Sequence, residues 1–146
     1  MNTTFLLDVN VLIAMSWPTH VAHEKVHQWF GRHGRAGWAT CPFTEAAFVR
    51  ILSNPAFSPN ALTTADAFQL LASNLKHPGH KFWPDDIGLL EATKNFQSQI
   101  AGHQQVADAY LLGLALHRKG KLATLDIGML ALLTAEGSPQ DVVTEI

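Results

Sequence analysis

The sequence predicts an α/β fold, with a single domain (residues 1–146) built on a mostly parallel central sheet of about five strands and helices on both faces. Short apolar runs alternate along the chain with segments of helical periodicity, which is typical of a parallel sheet covered by helices. A length of 146 residues suits one domain with its own core. Hydrophobic residues make up 47% and charged residues 15%, and these proportions exclude a disordered chain.

Five short runs between polar or turn-forming residues are predicted strands. The first is apolar and ends abruptly at Asp8, so we expect it to be buried. In chain order the five are Thr3–Leu7, Gly37–Thr40, Lys81–Trp83, Lys121–Leu125 and Asp141–Thr144.

Six segments with apolar residues at helical spacing are predicted helices. Pro42 suits the first turn of one of them, and Asn54-Pro55 ends it. Gly31 ends another, and either Asp85 or Asp86 is expected to cap a third. In chain order the helices are His20–Phe30, Pro42–Leu52, Thr63–Asn74, residues 85 or 86 to 96, His103–Arg118 and Ile127–Ala135.

Cysteine content and the N-terminal stretch indicate a cytoplasmic protein. The one cysteine, Cys41, excludes an internal disulfide framework and a cysteine-rich zinc site, and suits a reducing compartment. The apolar stretch from Phe5 to Met15 is interrupted by Asp8 and Asn10 and follows no basic segment. It therefore fits neither a signal peptide nor a membrane span.

Four acidic residues lie in places that are unusual for solvated carboxylates. Asp8 and Asp126 end the first and fourth predicted strands, and Glu45 lies in the first turns of the helix that follows the second. The carboxyl ends of parallel strands form the crevice in which such sheets bind ligands. Asp108 falls on the apolar face of a helix, where an unpaired carboxylate is costly.

Each acid also has a structural explanation. Asp8 could cap a helix that begins at Val9 or Val11, and Asp126 could cap the helix that follows it. Glu45 could be a solvated acid that favours the helix dipole, and Asp108 could pair with a buried Arg50. The conjunction of all four at one end of one sheet favours a shared site.

Four clustered carboxylates repel one another, and a hard divalent cation removes that repulsion. All-oxygen ligands favour Mg²⁺ or Mn²⁺, which in turn favour phosphoryl chemistry. The net charge of −2 argues against bulk electrostatic binding of nucleic acid, but setting these four acids aside leaves 12 − 4 = 8 acids against 10 Lys and Arg. Three small basic patches would then allow modest contact with phosphates: Arg32, His33 and Arg35; Lys76, His77, His80 and Lys81; His117, Arg118, Lys119 and Lys121.

The chain resembles the PIN domain family, and within it the VapC-type toxins of bacterial toxin–antitoxin pairs. The resemblance runs in order along the whole chain, through Asp8-Val9-Asn10, Thr44-Glu45, Asp108 in its Val-Ala-Asp-Ala-Tyr-Leu-Leu segment, and Thr124-Leu125-Asp126. It implies a PIN-like domain and an endoribonuclease that uses Mg²⁺ or Mn²⁺, is held inactive by a small antitoxin and is usually a homodimer. Transfer RNA and ribosomal RNA are the substrates that the resemblance suggests.

The resemblance also implies roles for particular residues. Asp8, Glu45, Asp108 and Asp126 would be metal-binding and catalytic acids that hydrolyse the phosphodiester with water activated by the cation. The neighbouring motif positions, which would support the acids, are Asn10, Thr44 and Thr124. Ile127 departs from the pattern, because relatives often have a basic residue there.

Other interpretations remain open at this point. A phosphatase of the aspartyl-phosphate type also begins with an acid after the first strand, but needs a second one where this chain has Asn10. A non-catalytic PIN-like module that binds RNA or protein is expected to have lost acids that this chain retains. An aromatic cluster of Trp17, Trp29 and Phe30 could be a docking surface, although helical spacing favours core. The spacing of His20, His23 and His27 is better explained by a solvated helix face than by a metal site.

Overall fold

The computed structural model describes residues 3–126, residue 128 and residues 143–146. Five strands are present in this part of the chain: β1 (Phe5–Leu7), β2 (Trp38–Thr40), β3 (His80–Phe82), β4 (Lys121–Thr124) and β5 (Val143–Glu145). The α-helices in it are α1 (Val9–Ser16), α2 (His23–His33), α3 (Pro42–Leu52), α4 (Thr64–Leu75), α5 (Leu89–Thr93) and α6 (Val106–His117). Single 3₁₀ turns cover Gly34–Ala36, Gln97–Gln99 and His103–Gln105.

The strands form one sheet in the order β3-β2-β1-β4-β5, and every neighbouring pair is parallel. The central strand β1 is registered on both sides, with Leu6 opposite Ala39 of β2 and Leu122 of β4. The predicted fold class, a parallel sheet of about five strands between helices, is confirmed. Because the strands are parallel, they all end at one edge, which we call the carboxyl edge.

Each face of the sheet has its own apolar core. Leu6 and Leu122 pack with α6, whereas Leu7, Trp38 and Ala123 pack with residues of α1 to α4. Successive strand residues point to opposite faces, which explains why neighbours in the sequence belong to different cores. On the face of the sheet that packs against α6, helix α5 lies close to α6. This is possible because Gly113 of α6 has no Cβ, which would clash with the carbonyl of Ala92 in α5.

The strand predictions are confirmed within one or two residues, and α3 has the predicted bounds. The predicted end of the second helix at Gly31 is wrong. Helix α2 continues to His33, whose ring packs against Phe5 and Trp29. It also begins three residues later than predicted, at His23. The preceding turn is held by the His20 ring, whose Nδ1 accepts from the amide of Ala22.

The helix predicted from Asp85 or Asp86 to Phe96 is confirmed only in part, because it is shorter than predicted and neither aspartate caps it. Only α5 forms there, and Gly88 precedes it. The two aspartates instead contact α6: the hydroxyl of Tyr110 donates to Asp85, and Arg118 forms an ion pair with Asp86. Their side chains therefore join the loop to α6 rather than cap a helix of their own.

Helix α1 was not predicted as an element of its own; the sequence indicated only that Asp8 could cap a helix beginning there. Four consecutive residues of it, from Val11 to Ala14, are buried. A helix buried on all sides has no polar face, so periodicity does not reveal it. The predicted Ile127–Ala135 helix lies outside the described residues, apart from Gly128.

The aromatic cluster belongs to the core, as helical spacing favoured. Trp29 is buried and packs edge-on against Phe5, and the half-buried Trp17 packs against Phe57. The histidine face is only partly solvated, because Nδ1 of His23 lies 2.6 Å from the carbonyl oxygen of Ala14. Within the described ranges, no helix has the length and apolar character required to cross a membrane.

Candidate active site

The four predicted acids all lie at the carboxyl edge. Asp8 directly follows β1, Asp126 is two residues beyond β4, and Glu45 is in the first turns of α3 after β2. Asp108 is in the first turn of α6. That helix ends just before Gly120 leads into β4, so its first turn is at the edge where the strands end.

Asp8 is buried and bonded through both carboxylate oxygens. One oxygen accepts from the amide of Val9 at 2.7 Å, which makes Asp8 the N-cap of α1. The other accepts from the hydroxyl of Thr124 at 2.8 Å. Burial raises the pKa of Asp8, these hydrogen bonds partly oppose that effect, and the charge of Asp126 adds to it. The capping role and the place in an acidic cluster are therefore compatible.

Thr124 and Asn10 connect the ends of β1 and β4. The Thr124 hydroxyl accepts from the amide of Asp126 at 3.0 Å and lies 3.5 Å from the side-chain amide of Asn10. The side-chain oxygen Oδ1 of Asn10 accepts from the backbone amide of Leu125 at 3.2 Å. These contacts fix the chain that carries Asp126 against the start of α1.

Asp108 is half-buried and has no compensating partner among the described residues. No hydrogen bond or ion pair to it is present there, and Arg50, its candidate partner, lies exposed on α3. Its pKa is raised to about 6, mainly by burial and then by the charges of Asp8 and Asp126. Three aspartates thus lie within electrostatic range of one another.

Glu45 is held on the other side of β1. Its carboxylate accepts from the hydroxyl of Thr40 at 2.7 Å, and that hydroxyl lies 2.8 Å from Nε2 of His80. Glu45 is not among the charges that raise the pKa of Asp8 or Asp108. The charges of the three aspartates therefore act on one another, whereas Glu45 is hydrogen-bonded to the end of β2 at the same edge.

Strand geometry accounts for this division. Asp8 lies two residues after Leu6 and Thr124 two after Leu122, so both continue the face that packs on α6. Thr40 lies two residues after Trp38 and continues the opposite face.

The sequence did not predict that Thr40 and His80 lie beside Glu45. It also did not show that Thr44 stabilises the start of α3. The buried Thr44 hydroxyl accepts from the amide of Cys41 at 3.0 Å and donates to its carbonyl at 3.1 Å, so it caps α3. His80 was assigned to a surface patch by its neighbours in the sequence. Thr40 could have been found from the sequence, because it is a polar residue at the end of the strand that precedes Glu45.

The donor set suits a hard divalent cation. Carboxylate oxygens are the ligands that Mg²⁺ and Mn²⁺ prefer, and the mutual repulsion of Asp8, Asp108 and Asp126 is the electrostatic condition that such an ion relieves. The side chains are not gathered into a finished centre: no three His, Cys, Asp or Glu side chains within the described ranges lie close enough together to hold a metal as they stand.

The basic patch from His117 to Lys121 is remote from the acids. It lies at the end of α6, nine residues or about 13 Å along the helix from Asp108. Two of its members also face Asp86, since His117 and Arg118 lie 3.4 and 2.7 Å from its carboxylate. Ile127, which replaces an expected basic residue, lies outside the described residues.

Comparisons with known proteins agree with the fold and the motifs. The PIN domain family model matches residues 5–132. Ribonuclease VapC38 of Mycobacterium tuberculosis (strain ATCC 25618 / H37Rv) is 42% identical over 127 residues, 87% of this chain and 88% of that protein. Ribonuclease VapC44 of the same species (strain CDC 1551 / Oshkosh) is 38% identical over 121 residues, 83% of this chain and 84% of its own.

Two solved structures show the same architecture. The crystal structure of VapBC2 from Rickettsia felis, bound to a DNA fragment from their promoter, has a TM-score of 0.63 at 10% identity and covers 97% of this chain and 98% of its own. The crystal structure of FitAcB from Neisseria gonorrhoeae has a TM-score of 0.62 at 21% identity. It covers 94% of this chain and 99% of its own. At these identities the likeness shows the fold. The family model and the curated relatives go further, and they show that the chain belongs to the PIN domain family, with relatives that are VapC-type toxins.

Proposed function

We propose that this protein is a metal-dependent endoribonuclease toxin that hydrolyses RNA phosphodiester bonds at the carboxyl edge. The observation that carries the proposal is the group of three aspartates, in which Asp108 has no hydrogen bond or ion pair among the described residues and a pKa of about 6. A structural carboxylate in such surroundings would be expected to have a basic partner. The names of the relatives, which are ribonucleases, supply the substrate class.

The aspartates would hold Mg²⁺ or Mn²⁺. When bound, the ion would supply the positive charge that activates a water molecule and stabilises the departing oxygen. Asp8 is held from two sides by Val9 and Thr124, so its carboxylate is already oriented. Asp126 is exposed and Asp108 is half-buried, which leaves both accessible to an ion and to a phosphate. Attack by water would leave a 5′-phosphate and a 3′-hydroxyl.

Glu45 is assigned a role beside the aspartates. Its carboxylate is at the same edge but is bonded to Thr40, and we place it against the second side of the ion or the RNA. Asn10 and Thr124 support the aspartate side through the contacts between β1 and β4. Thr44 supports Glu45 indirectly, because it caps the helix that carries it.

The partners of this protein are also part of the proposal. VapBC2 and FitAcB are the proteins whose structures share the fold, and the related FitAB was solved on a DNA fragment called IR36. By analogy we propose a small antitoxin as the inhibitor of this chain, a homodimer as its assembly, and transfer or ribosomal RNA in the cytoplasm as its target.

The test is the substitution Asp8→Asn, which removes the charge at nearly constant volume. We expect the cleavage rate of a structured RNA to fall at least about a hundredfold, because preorganised charge at the reacting phosphate is lost. EDTA should abolish cleavage by the wild type, and Mg²⁺ or Mn²⁺ should restore it. Mapping of the RNA ends reports whether the products carry 5′-phosphates.

The matched control is Asp66→Asn, an exposed aspartate in the first turn of α4, which should leave the rate unchanged. Cleavage retained by pure Asp8→Asn protein would contradict the proposal. RNA binding without cleavage by the wild type would favour a non-catalytic module instead. Turnover of an aryl phosphate would favour a phosphatase.

A further inference from the structure

The side chain of Thr40 joins two titratable groups that come from different elements. Thr40 is the last residue of β2 and is fully buried. Its hydroxyl lies 2.7 Å from a carboxylate oxygen of Glu45 in α3 and 2.8 Å from Nε2 of His80 in β3. A hydroxyl has one proton, and an ionised carboxylate can only accept. Thr40 therefore donates to Glu45 and accepts from the N–H at Nε2 of His80.

The imidazole of His80 is held in place by its surroundings. His80 is registered opposite Trp38 in the sheet, and the centroids of the two rings are 4.8 Å apart. Trp38 is itself buried, and its indole N–H donates to Nδ1 of His77 at 3.2 Å. A ring packed on a fixed indole offers its N–H to Thr40 in one direction.

The same arrangement occurs once more at the carboxyl edge. Thr124, the last residue of β4, donates to Asp8 at 2.8 Å, as Thr40 at the end of β2 donates to Glu45 at 2.7 Å. The strand β1 lies between the two threonines. The acids on both sides of β1 are thus each oriented by a threonine that ends a neighbouring strand.

We infer that Thr40 and His80 are positioning residues for Glu45: His80 fixes the direction of the Thr40 hydroxyl, and that hydroxyl holds one oxygen of Glu45 and leaves the other available at the carboxyl edge. This inference rests on the proposed function. A half-buried glutamate has several accessible rotamers, and a donor chain that selects one of them lowers the entropy lost when the acid engages an ion or a phosphate. Hydrogen-bonded partners of this kind typically change metal affinity or activity ten- to a hundredfold when removed.

Two pairs of variants separate hydrogen bonding from mere packing. Thr40→Val removes the hydroxyl at nearly the same shape, whereas Thr40→Ser keeps it. His80→Leu removes the N–H, whereas His80→Gln places an amide N–H near the position of Nε2. We expect the first member of each pair to lower kcat, or the Mn²⁺ affinity measured by calorimetry, about tenfold or more. The second member should recover most of that loss, and His27→Leu, an exposed histidine of α2, should change neither.

A spectroscopic measurement tests the chain of contacts without any cleavage assay. Imidazole ¹H–¹⁵N spectra should show the His80 resonances shifting as Mg²⁺ is added, because an ion near Glu45 polarises the Thr40 hydroxyl. Thr40→Val should abolish this response while the backbone amides of Val9 and Leu125, beside the aspartates, still shift. A structural role for His80 alone would leave the response of its ring the same in both proteins.

The outcomes distinguish this inference from the proposed function. If Asp8→Asn retains cleavage, the proposed function fails and the inference with it. If Asp8→Asn is inactive but Thr40→Val and His80→Leu keep wild-type affinity and rate, only the inference is overturned. It is also overturned if His80→Gln is as impaired as His80→Leu. Should Thr40→Val fail to fold, the pair at the half-buried His80 decides the question.

Discussion

The two sides of β1 hold their acids by the same contact but in different electrical surroundings. On one side, the buried Asp8 accepts from Thr124 and lies in the field of two more aspartates. On the other, the half-buried Glu45 accepts from Thr40, which is backed by the N–H of His80. The aspartate side concentrates negative charge, whereas the glutamate side has a chain of donors. Under the proposed function, a cation would offset the repulsion on the first side, whereas the hydrogen bonds from Thr40 and His80 orient the second side.

The largest effect is expected from Asp108→Asn on the aspartate side. It should lower the rate of RNA cleavage at least about a hundredfold, because under the proposed function it removes one of the charges that would hold the cation at the reacting phosphate. The comparison is with Glu45→Gln, which keeps the Thr40 contact through its amide oxygen and is expected to lose less. Initial rates at saturating Mg²⁺ measure both. If Glu45→Gln is the more impaired variant, the aspartates are not the centre of the site.

The second effect is stabilisation by the cation itself. Mn²⁺ at about a hundred times its dissociation constant should raise the free energy of unfolding by about 2.7 kcal/mol, because it binds only the folded state. Thermal denaturation with and without the ion measures this as a rise in Tm. Asp108→Asn should lose most of the rise, and the control Asp66→Asn, at an exposed position in the first turn of α4, should keep it. An equal rise in the wild type and in Asp108→Asn would place the ion elsewhere.

The difference between the two sides also explains how much the sequence could predict. Asp8 and Asp126 follow directly from strand ends, and Asp108 from its apolar helix, so the aspartate side follows from local patterns and the parallel fold. The contact of Thr40 with His80 joins positions 40 residues apart through the pairing of β2 with β3. A single sequence does not state which strands are neighbours, so His80 was grouped with Lys81 as a surface patch.

Elements were hidden for similar reasons. Helix α1 is buried on several sides and has no polar face to mark its period. The loop before α5 was taken for a helix because Asp85 and Asp86 are good capping residues. Their contacts with Tyr110 and Arg118 of the α6 segment override that local preference. Local helix and capping preferences predicted the structure correctly where the interactions were local. They failed where a side chain contacts a residue that is distant in the sequence.

The smallest effect is a pH dependence confined to the aspartate side. The pKa of Asp108 is raised from 3.8 to about 6 in the folded protein, so the folded state takes up a proton that the unfolded chain releases. The stability contributed by this proton is fully present below about pH 3.8 and is lost as the pH rises through about 6. Above that pH the wild type should be about 1 to 2 kcal/mol less stable than Asp108→Asn, after allowance for solvent screening. Urea denaturation of both proteins in EDTA, from pH 4.5 to 8, measures the difference. A gap that stays constant over this range would mean that Asp108 is not a buried, repelled carboxylate, and the distinction between the two sides of β1 would lose its electrostatic basis.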